Sequence, residues 1–317
     1  MTDHFEQYHA ELRSVAGGLL AKERTVEWAV IADAGWAGLE VPEHLGGAGA
    51  TFAEVAVICE EMGRAASATS FLGSGVLAVG VLNTLAPSET RDRLLSGIAS
   101  GATRAAVALE PLDFVPDADG ADTVLVLTDG GVAEAAVTIT AQPVLDETRR
   151  LVRVAVEQRS EVMAFDGDPE PAVRRIYDRA AVAIACDSLG VAEAMLATTV
   201  SYVTMRHQFD RPIGSFQAVK HACADMYVAI AVSRQLVRAA VHAVAGNQSD
   251  AGVAAAMAKS YACSTAVDVA GTAMQLHGGI GYTWESGVHV YLKRAALNRS
   301  LFGSPAAHRH QLAQRYL

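Results

Sequence analysis

Lysine is scarce in this sequence. Only four of its 317 residues are lysine (Lys22, Lys220, Lys259 and Lys293), and 35 acidic against 25 basic side chains leave a formal charge of −10. That balance, with no long basic run, excludes nucleic acid or an anionic membrane surface as the main partner. Cysteine is scarce too. Cys59, Cys186, Cys223 and Cys263 are scattered without a CxxC spacing, each in an apolar stretch, so they are expected as buried thiols and not as disulfides or metal ligands. The start, Met1-Thr2-Asp3-His4-Phe5-Glu6, has no signal-peptide hydrophobic region. The most apolar stretch, residues 71–86, is interrupted by Asn83 and falls short of the ~20 apolar residues of a membrane span. A cytoplasmic protein with no membrane partner is expected.

Aromatic residues make up only 6% of the chain, yet 51% of it is hydrophobic. So much apolar side chain excludes a disordered chain, and the length suits two domains or one core with an inserted module.

Period and punctuation divide the chain into three zones. Residues 1–101 read as an N-terminal α-helical domain. Trp28, Ile31, Ala32, Gly35 and Leu39 keep helical spacing until Pro42 and Gly46-Gly47-Ala48-Gly49 stop it. Thr51-Phe52-Ala53-Glu54 is a capping box, in which the hydroxyl takes the N3 amide and the glutamate reaches back. Pro87-Ser88 opens another helix. Residues 102–168 turn to short Val-, Thr- and Ile-rich runs (103–109, 123–128, 132–139, 151–156 and 162–165) separated by Pro and Asp-Gly signals, a small β module. Residues 169–317 are helical again, as a C-terminal bundle. Helices are expected over about 171–205, from an N-cap at Ser215 to about 245, and over about 251–277. The fold class is α+β, mostly α.

Two segments carry chemistry. Arg206-His207-Gln208-Phe209-Asp210-Arg211-Pro212-Ile213-Gly214-Ser215-Phe216-Gln217 puts a guanidinium, an aromatic ring and an amide beside a helix start, which suits an anionic group; a solvated helix–helix turn fits as well. Gln275-Leu276-His277-Gly278-Gly279-Ile280-Gly281-Tyr282 admits close approach of a ligand or, equally, a simple helix C-cap.

Together these segments resemble the acyl-CoA dehydrogenase family, over nearly the whole chain. Ala34-Gly35-Trp36-Ala37-Gly38-Leu39 with Val41-Pro42-Glu43, and Glu60-Glu61-Met62-Gly63-Arg64, match its N-terminal helices; Arg206-x-x-Phe209 with Phe216-Gln217, and residues 275–285, match its C-terminal domain. The resemblance implies an N-terminal helical domain, a middle β domain, a C-terminal four-helix-type bundle, FAD, and α,β-desaturation of an acyl-CoA. It implies an electron-transfer flavoprotein or similar acceptor. It also implies that Arg206, Phe209, Phe216, Gln217, Gln275, Leu276, Gly278 and Gly279 hold the ADP end of FAD across a subunit boundary.

The departures are as informative. Where relatives carry the proton-abstracting glutamate in a Y-E-G-T stretch, this chain has Leu301-Phe302-Gly303-Ser304; the alternative site in the family, near Asp178-Arg179-Ala180-Ala181-Val182, has no glutamate. Of the T-E-P-x-A-G-S-D loop only Glu110-Pro111 remains. No W-x-T-N-G stretch occurs, and the β module is short. This pattern resembles the short subunit of two-component acyl-CoA dehydrogenases of actinobacterial steroid catabolism. It implies a longer partner subunit in an α2β2 heterotetramer and no catalytic residue on this chain. Two other readings stay open: a self-sufficient homo-oligomer whose base is Asp187 or Glu193, and a non-enzymatic scaffold. Asp187 and Glu193 are otherwise expected as a polar face or buried partners of arginines, Glu110 as a loop residue, Glu285 in an ion pair, and His308-Arg309-His310 as a surface helix.

Overall fold

The computed structural model describes residues 2–314. Its contacts divide the chain into two compact units, Met1–Ile58 with Ser67–Ala180, and Cys59–Ala66 with Ala181–Leu317.

The first unit opens with helices α1 (Thr2–Leu20) and α2 (Trp28–Asp33). The helix expected to continue to Leu39 breaks at Gly35, whose φ of 75° is left-handed, and resumes as a 3-10 turn over Trp36–Gly38. Helix α3 (Phe52–Ala65) starts at the capping box. Glu54 Oε2 accepts from the Thr51 amide at 2.8 Å, while the Thr51 hydroxyl takes the amide of Ala53, one residue before the expected one. The apolar stretch after residue 70 is a π-helical segment, Leu72–Ala78, running into α4 (Val79–Leu82), buried throughout. Ser88 caps α5 (Glu89–Ala99) by accepting from the Arg91 amide.

The β module follows the sequence punctuation. Strands β1 (Ala105–Ala108), β2 (Val115–Pro116), β3 (Thr123–Thr128), β4 (Gly131–Ala141), β5 (Leu151–Arg159) and β6 (Met163–Ala164) form a six-stranded sheet in the order β1-β3-β4-β5-β2, with β6 on β4. Asp129-Gly130 turns β3 into antiparallel β4, and β1 pairs parallel with β3. Alternating inward residues, Val124 and Val126 on β3 and Val152 and Val154 on β5, bury one face with Ala106 and Val115.

Helix α6 (Pro169–Met205) is followed by a two-stranded hairpin, β7 (His207–Gln208) and β8 (Arg211–Pro212), then α7 (Gln217–Ala245), α8 (Ala251–His277), α9 (Val288–Ser300) and α10 (Pro305–Gln314). In the second unit the C-terminal turns of α3 cross α6 almost backbone to backbone. A Cβ on Gly63 would lie 1.9 Å from the Asp187 carbonyl oxygen, and one on Gly190 would lie 1.9 Å from that of Glu60. Any side chain at either glycine would push the two helices apart. α6 and α7 prove long and apolar enough to cross a membrane by length and composition, which the reading of residues 71–86 overlooked. Of the most apolar window of α6, 78% is buried inside the protein; for α7 the figure is 28%.

Candidate functional site

The two motif segments lie at one end of the second unit. Tyr202, one turn before Arg206, stacks on His277 with ring centroids 4.4 Å apart and donates its hydroxyl to the His277 carbonyl at 3.3 Å. His277 directly precedes Gly278, so the C-termini of α6 and α8 are joined and both motifs are brought together.

From that junction the chain turns outward. The hairpin β7–β8 reverses at Phe209 and Asp210, whose φ values are 53° and 61°. A turn with two left-handed central residues is normally built from Asn and Gly. Phenylalanine there stores strain, and its ring is 86% exposed. The ring stands edge-on to Phe216 (centroids 6.1 Å apart), and the Arg211 guanidinium covers the Phe216 face at 4.0 Å. Arg206 is exposed and makes no ion pair among the described residues. Phe216, and not Ser215, occupies the N-cap of α7, and no side chain caps that helix. Ser215 lies in the preceding 3-10 turn with its hydroxyl buried and unbonded. The first amides of α7 are thus left for an external acceptor, with Gln217 exposed beside them.

At the end of α8, Gln275, Gly278 and Gly279 are exposed and Leu276 is half-buried. Gly278 (φ 61°, ψ −143°) holds a conformation open only to glycine. Gly279 has no such constraint, and a Cβ there would meet nothing within 4 Å. Nothing within the chain requires a glycine at 279. Farther on, Trp284 is exposed under Lys293, 5.2 Å from the ring. Among the described residues Glu285 forms no ion pair. Its fully exposed carboxylate is held below its usual range by its own backbone amide and the Thr283 hydroxyl.

The carboxylates considered as bases are engaged elsewhere. Asp187, 3% exposed, takes Arg294 Nε at 2.9 Å and Nη2 at 2.5 Å, and Asn298 Nδ2 at 2.6 Å. Glu193 binds Arg64 and takes Arg234 Nε at 3.0 Å; Arg64 also holds Glu60 and Glu61, which accounts for the Glu-Glu-x-Gly-Arg spacing. Phe302 is half-buried with φ 55°. Its carbonyl lies 3.0 Å from His308 Nε2, and buried Lys259 donates to the carbonyls of Gly303 (2.8 Å) and Asn298 (2.9 Å). His308 is therefore part of this clamp and not a surface residue. Its imidazole pKa is lowered by burial and by the Lys259 charge.

In the first unit, the loop that retains Glu110-Pro111 is tied to its own neighbours. The Glu110 amide donates to the Tyr177 hydroxyl at 3.2 Å, Leu112 O accepts from the Val154 amide, and Asp113 pairs with Arg153 at 2.5 Å. Next to Tyr177, sequence reasoning passed over Asp178. Burial, opposed by Arg174, raises its carboxyl to about 6, the range of a general base near neutral pH. Asp178 stands in the stretch that resembles the family's alternative base position, where a glutamate and not an aspartate was expected.

Two family domains match the chain: "Acyl-CoA dehydrogenase, N-terminal domain" over residues 2–102 and "Acyl-CoA dehydrogenase, C-terminal domain" over residues 172–317. The chain belongs to the acyl-CoA dehydrogenase family. Among its acyl-CoA dehydrogenase relatives, IpdE2 of Mycobacterium tuberculosis (strain ATCC 25618 / H37Rv) is 40% identical over 273 residues, covering 86% of this chain and 80% of that one. A variant of the Tcur3481-Tcur3483 steroid ACAD superposes with a TM-score of 0.87 at 26% identity, covering 98% and 97% of the two chains. The ChsE4-ChsE5 complex from Mycobacterium tuberculosis shares the fold, with a TM-score of 0.84 at 24% identity over 97% and 96%.

Proposed function

We propose that this chain is the short subunit of a flavin-linked acyl-CoA dehydrogenase heteromer that desaturates a CoA thioester, steroid-derived in the favoured case. In it, residues 1–101, 102–168 and 169–317 serve as helical, shortened β and bundle domains. The observation that carries the reading is the asymmetry of what the chain offers a dinucleotide. At the joined ends of α6 and α8, unpaired Arg206, the uncapped start of α7 with its buried unbonded Ser215 hydroxyl, exposed Gln275 and unobstructed Gly279 fit a pyrophosphate, and the outward Phe209 fits a purine or an apolar pocket. The ring end does not fit in the same way. The side chains of the loop at residues 109–114 that bear polar atoms are Glu110 and Asp113, which as carboxylates only accept hydrogen bonds, whereas a flavin ring's carbonyls need donors.

FAD, when bound, supplies the hydride acceptor for the β-hydrogen of the substrate. The part of this chain is to bind and orient: Arg206 and Gln217 hold the anionic end, Gly278 and Gly279 let it approach the backbone, and Phe209 and Phe216 close over it. Phe302 cannot take a proton, and Asp187 and Glu193 are spent on arginines. The α-proton is accordingly removed by a carboxylate of the longer subunit. The likeness to a steroid ACAD named by two chains supports both the partner and the substrate class.

Replacing Arg206 in the co-produced complex tests this. Arg206→Ala is expected to weaken FAD binding by about 1.5–3 kcal/mol, a ten- to hundredfold rise in Kd. Unchanged flavin retention on gel filtration would remove Arg206 from the site. A second reading, a self-sufficient enzyme with a displaced base, is favoured only by Asp178. Asp178→Asn separates the two, since turnover in the complex stays intact if the base lies on the partner.

A further inference from the structure

The first unit holds a small polar cavity of about 160 Å³. It lies among the start of α2, the residues before the π-helical segment, the approach to β1, the loop after β2 and the approach to β5. Glu27, Arg104, Asp119 and Arg150 line it, with the hydroxyl-bearing Thr25 and Ser70. Backbone hydrogen bonds staple the loop 117–122 to both arginines. The Asp117 amide donates to the Arg150 carbonyl at 3.0 Å and the Asp122 amide to the Arg104 carbonyl at 2.8 Å, while the Arg104 amide donates to Asp122 Oδ2 at 2.7 Å. Another wall is a parallel bridge of Thr25 with Ala68, in which the Val26 amide donates to the Ala68 carbonyl at 2.9 Å. Asp117 holds a left-handed φ of 59° and turns its carboxylate to the Gly73 amide at 2.8 Å. Such strain in a residue other than glycine persists where the surroundings impose it, and ligand clamps are among those places.

Arg104 is half-buried, and its guanidinium reaches over Gly120, 3.7 Å from where a Cβ would stand. Among the described residues neither Arg104 nor Arg150 forms an ion pair, and neither do Glu27 and Asp119, although all four line one cavity. A half-buried guanidinium has lost part of its hydration and gains most from a charged acceptor. We propose that the cavity binds a small zwitterion of the α-amino acid class, its carboxylate on Arg104 and Arg150 and its ammonium on Glu27 and Asp119. Each simpler occupant meets the wrong sign: a lone anion faces two carboxylates, and a lone cation faces two guanidiniums. An apolar ligand would strip water from four charges and replace it with nothing. The volume lies well below the ~300–1,000 Å³ of sites for larger ligands, which excludes a nucleotide, a flavin or an acyl-CoA. The stapled backbone beneath the charges leaves little ordering for binding to supply. None of these residues belongs to the segments assigned to FAD, so this proposal and the shared-site reading fail separately.

Saturation-transfer NMR and calorimetric titration of the full-length chain test it, with L-alanine and the larger L-glutamine as probes. Propionate and ethylamine, which are L-alanine without its ammonium and without its carboxylate, are the controls. At least one of the two amino acids is expected to bind, and each control to bind about tenfold more weakly or less. Arg104→Ala is expected to weaken amino-acid binding about tenfold or more. Asp119→Asn, in an exposed loop where folding is not at risk, is expected to weaken it in the same direction without affecting propionate. Binding of neither amino acid, propionate binding as well as L-alanine, or both variants keeping wild-type affinity would each overturn the proposal.

Discussion

Two groups of polar side chains in the second unit have opposite fates. Around Asp187, a carboxylate, a guanidinium and an amide are almost wholly buried, and the carboxylate is satisfied by the other two, with Arg294 1% exposed and Asn298 fully enclosed. Around Arg206, a guanidinium, two carboxamides and an uncapped helix start face outward and satisfy nothing within the chain. The first arrangement is what stability requires, since a buried charge survives only with its partner. The second offers stability nothing, and the strained, exposed Phe209 beside it opposes it. A guanidinium, two carboxamides and a helix start left unpaired at the surface are available to something outside the unit.

That contrast can be broken from either side. The largest effect is expected inside. Arg294→Ala leaves Asp187 buried without its countercharge and should cost about 3–5 kcal/mol, read as a lower denaturation midpoint with an unchanged slope. Arg206→Ala, by comparison, should leave unfolding within about 0.5 kcal/mol of wild type while weakening FAD binding in the complex. If the two substitutions exchange effects, the assignment of inside and outside is reversed.

Asp178 sharpens the comparison, because it is half-buried without being fully satisfied. Its folded-state carboxyl, raised by burial to about 6, binds its proton more tightly than the unfolded chain does. Stability therefore falls as pH rises from about 4 to about 6 and stays lower above that, by at most ~3 kcal/mol. Asp178→Asn should abolish this slope and raise stability at pH 7, with the difference vanishing near pH 3; urea melts across that range measure it. A variant whose pH profile matches wild type would mean the carboxylate is already solvated.

How far the sequence could be read follows the same division. Features set by local spacing were legible: the Thr51–Glu54 cap, the strands between Asp-Gly turns, the three long C-terminal helices, and two motif segments that the fold then joins through Tyr202 and His277. Features set by distant partners were not. Nothing near Asp187 announces that Arg294, 107 residues on, fills its oxygens, and Glu285 finds no arginine among the described residues. His308 looked like surface because its contacts are to a carbonyl and to Lys259 on another helix. Ser215 had the right chemistry for a cap, but the 3-10 turn over Ile213–Ser215 moved the helix start one residue on.

The central claim is that this chain supplies half of a shared flavin site and cannot hold the cofactor alone. The most direct test is the visible absorption spectrum of the chain purified by itself, with protein concentration determined on the same sample. The account predicts a colourless protein that carries flavin only when co-produced with its longer partner. A yellow protein with close to one FAD per chain would contradict it, and would return the search for a base to Asp178 and Glu110.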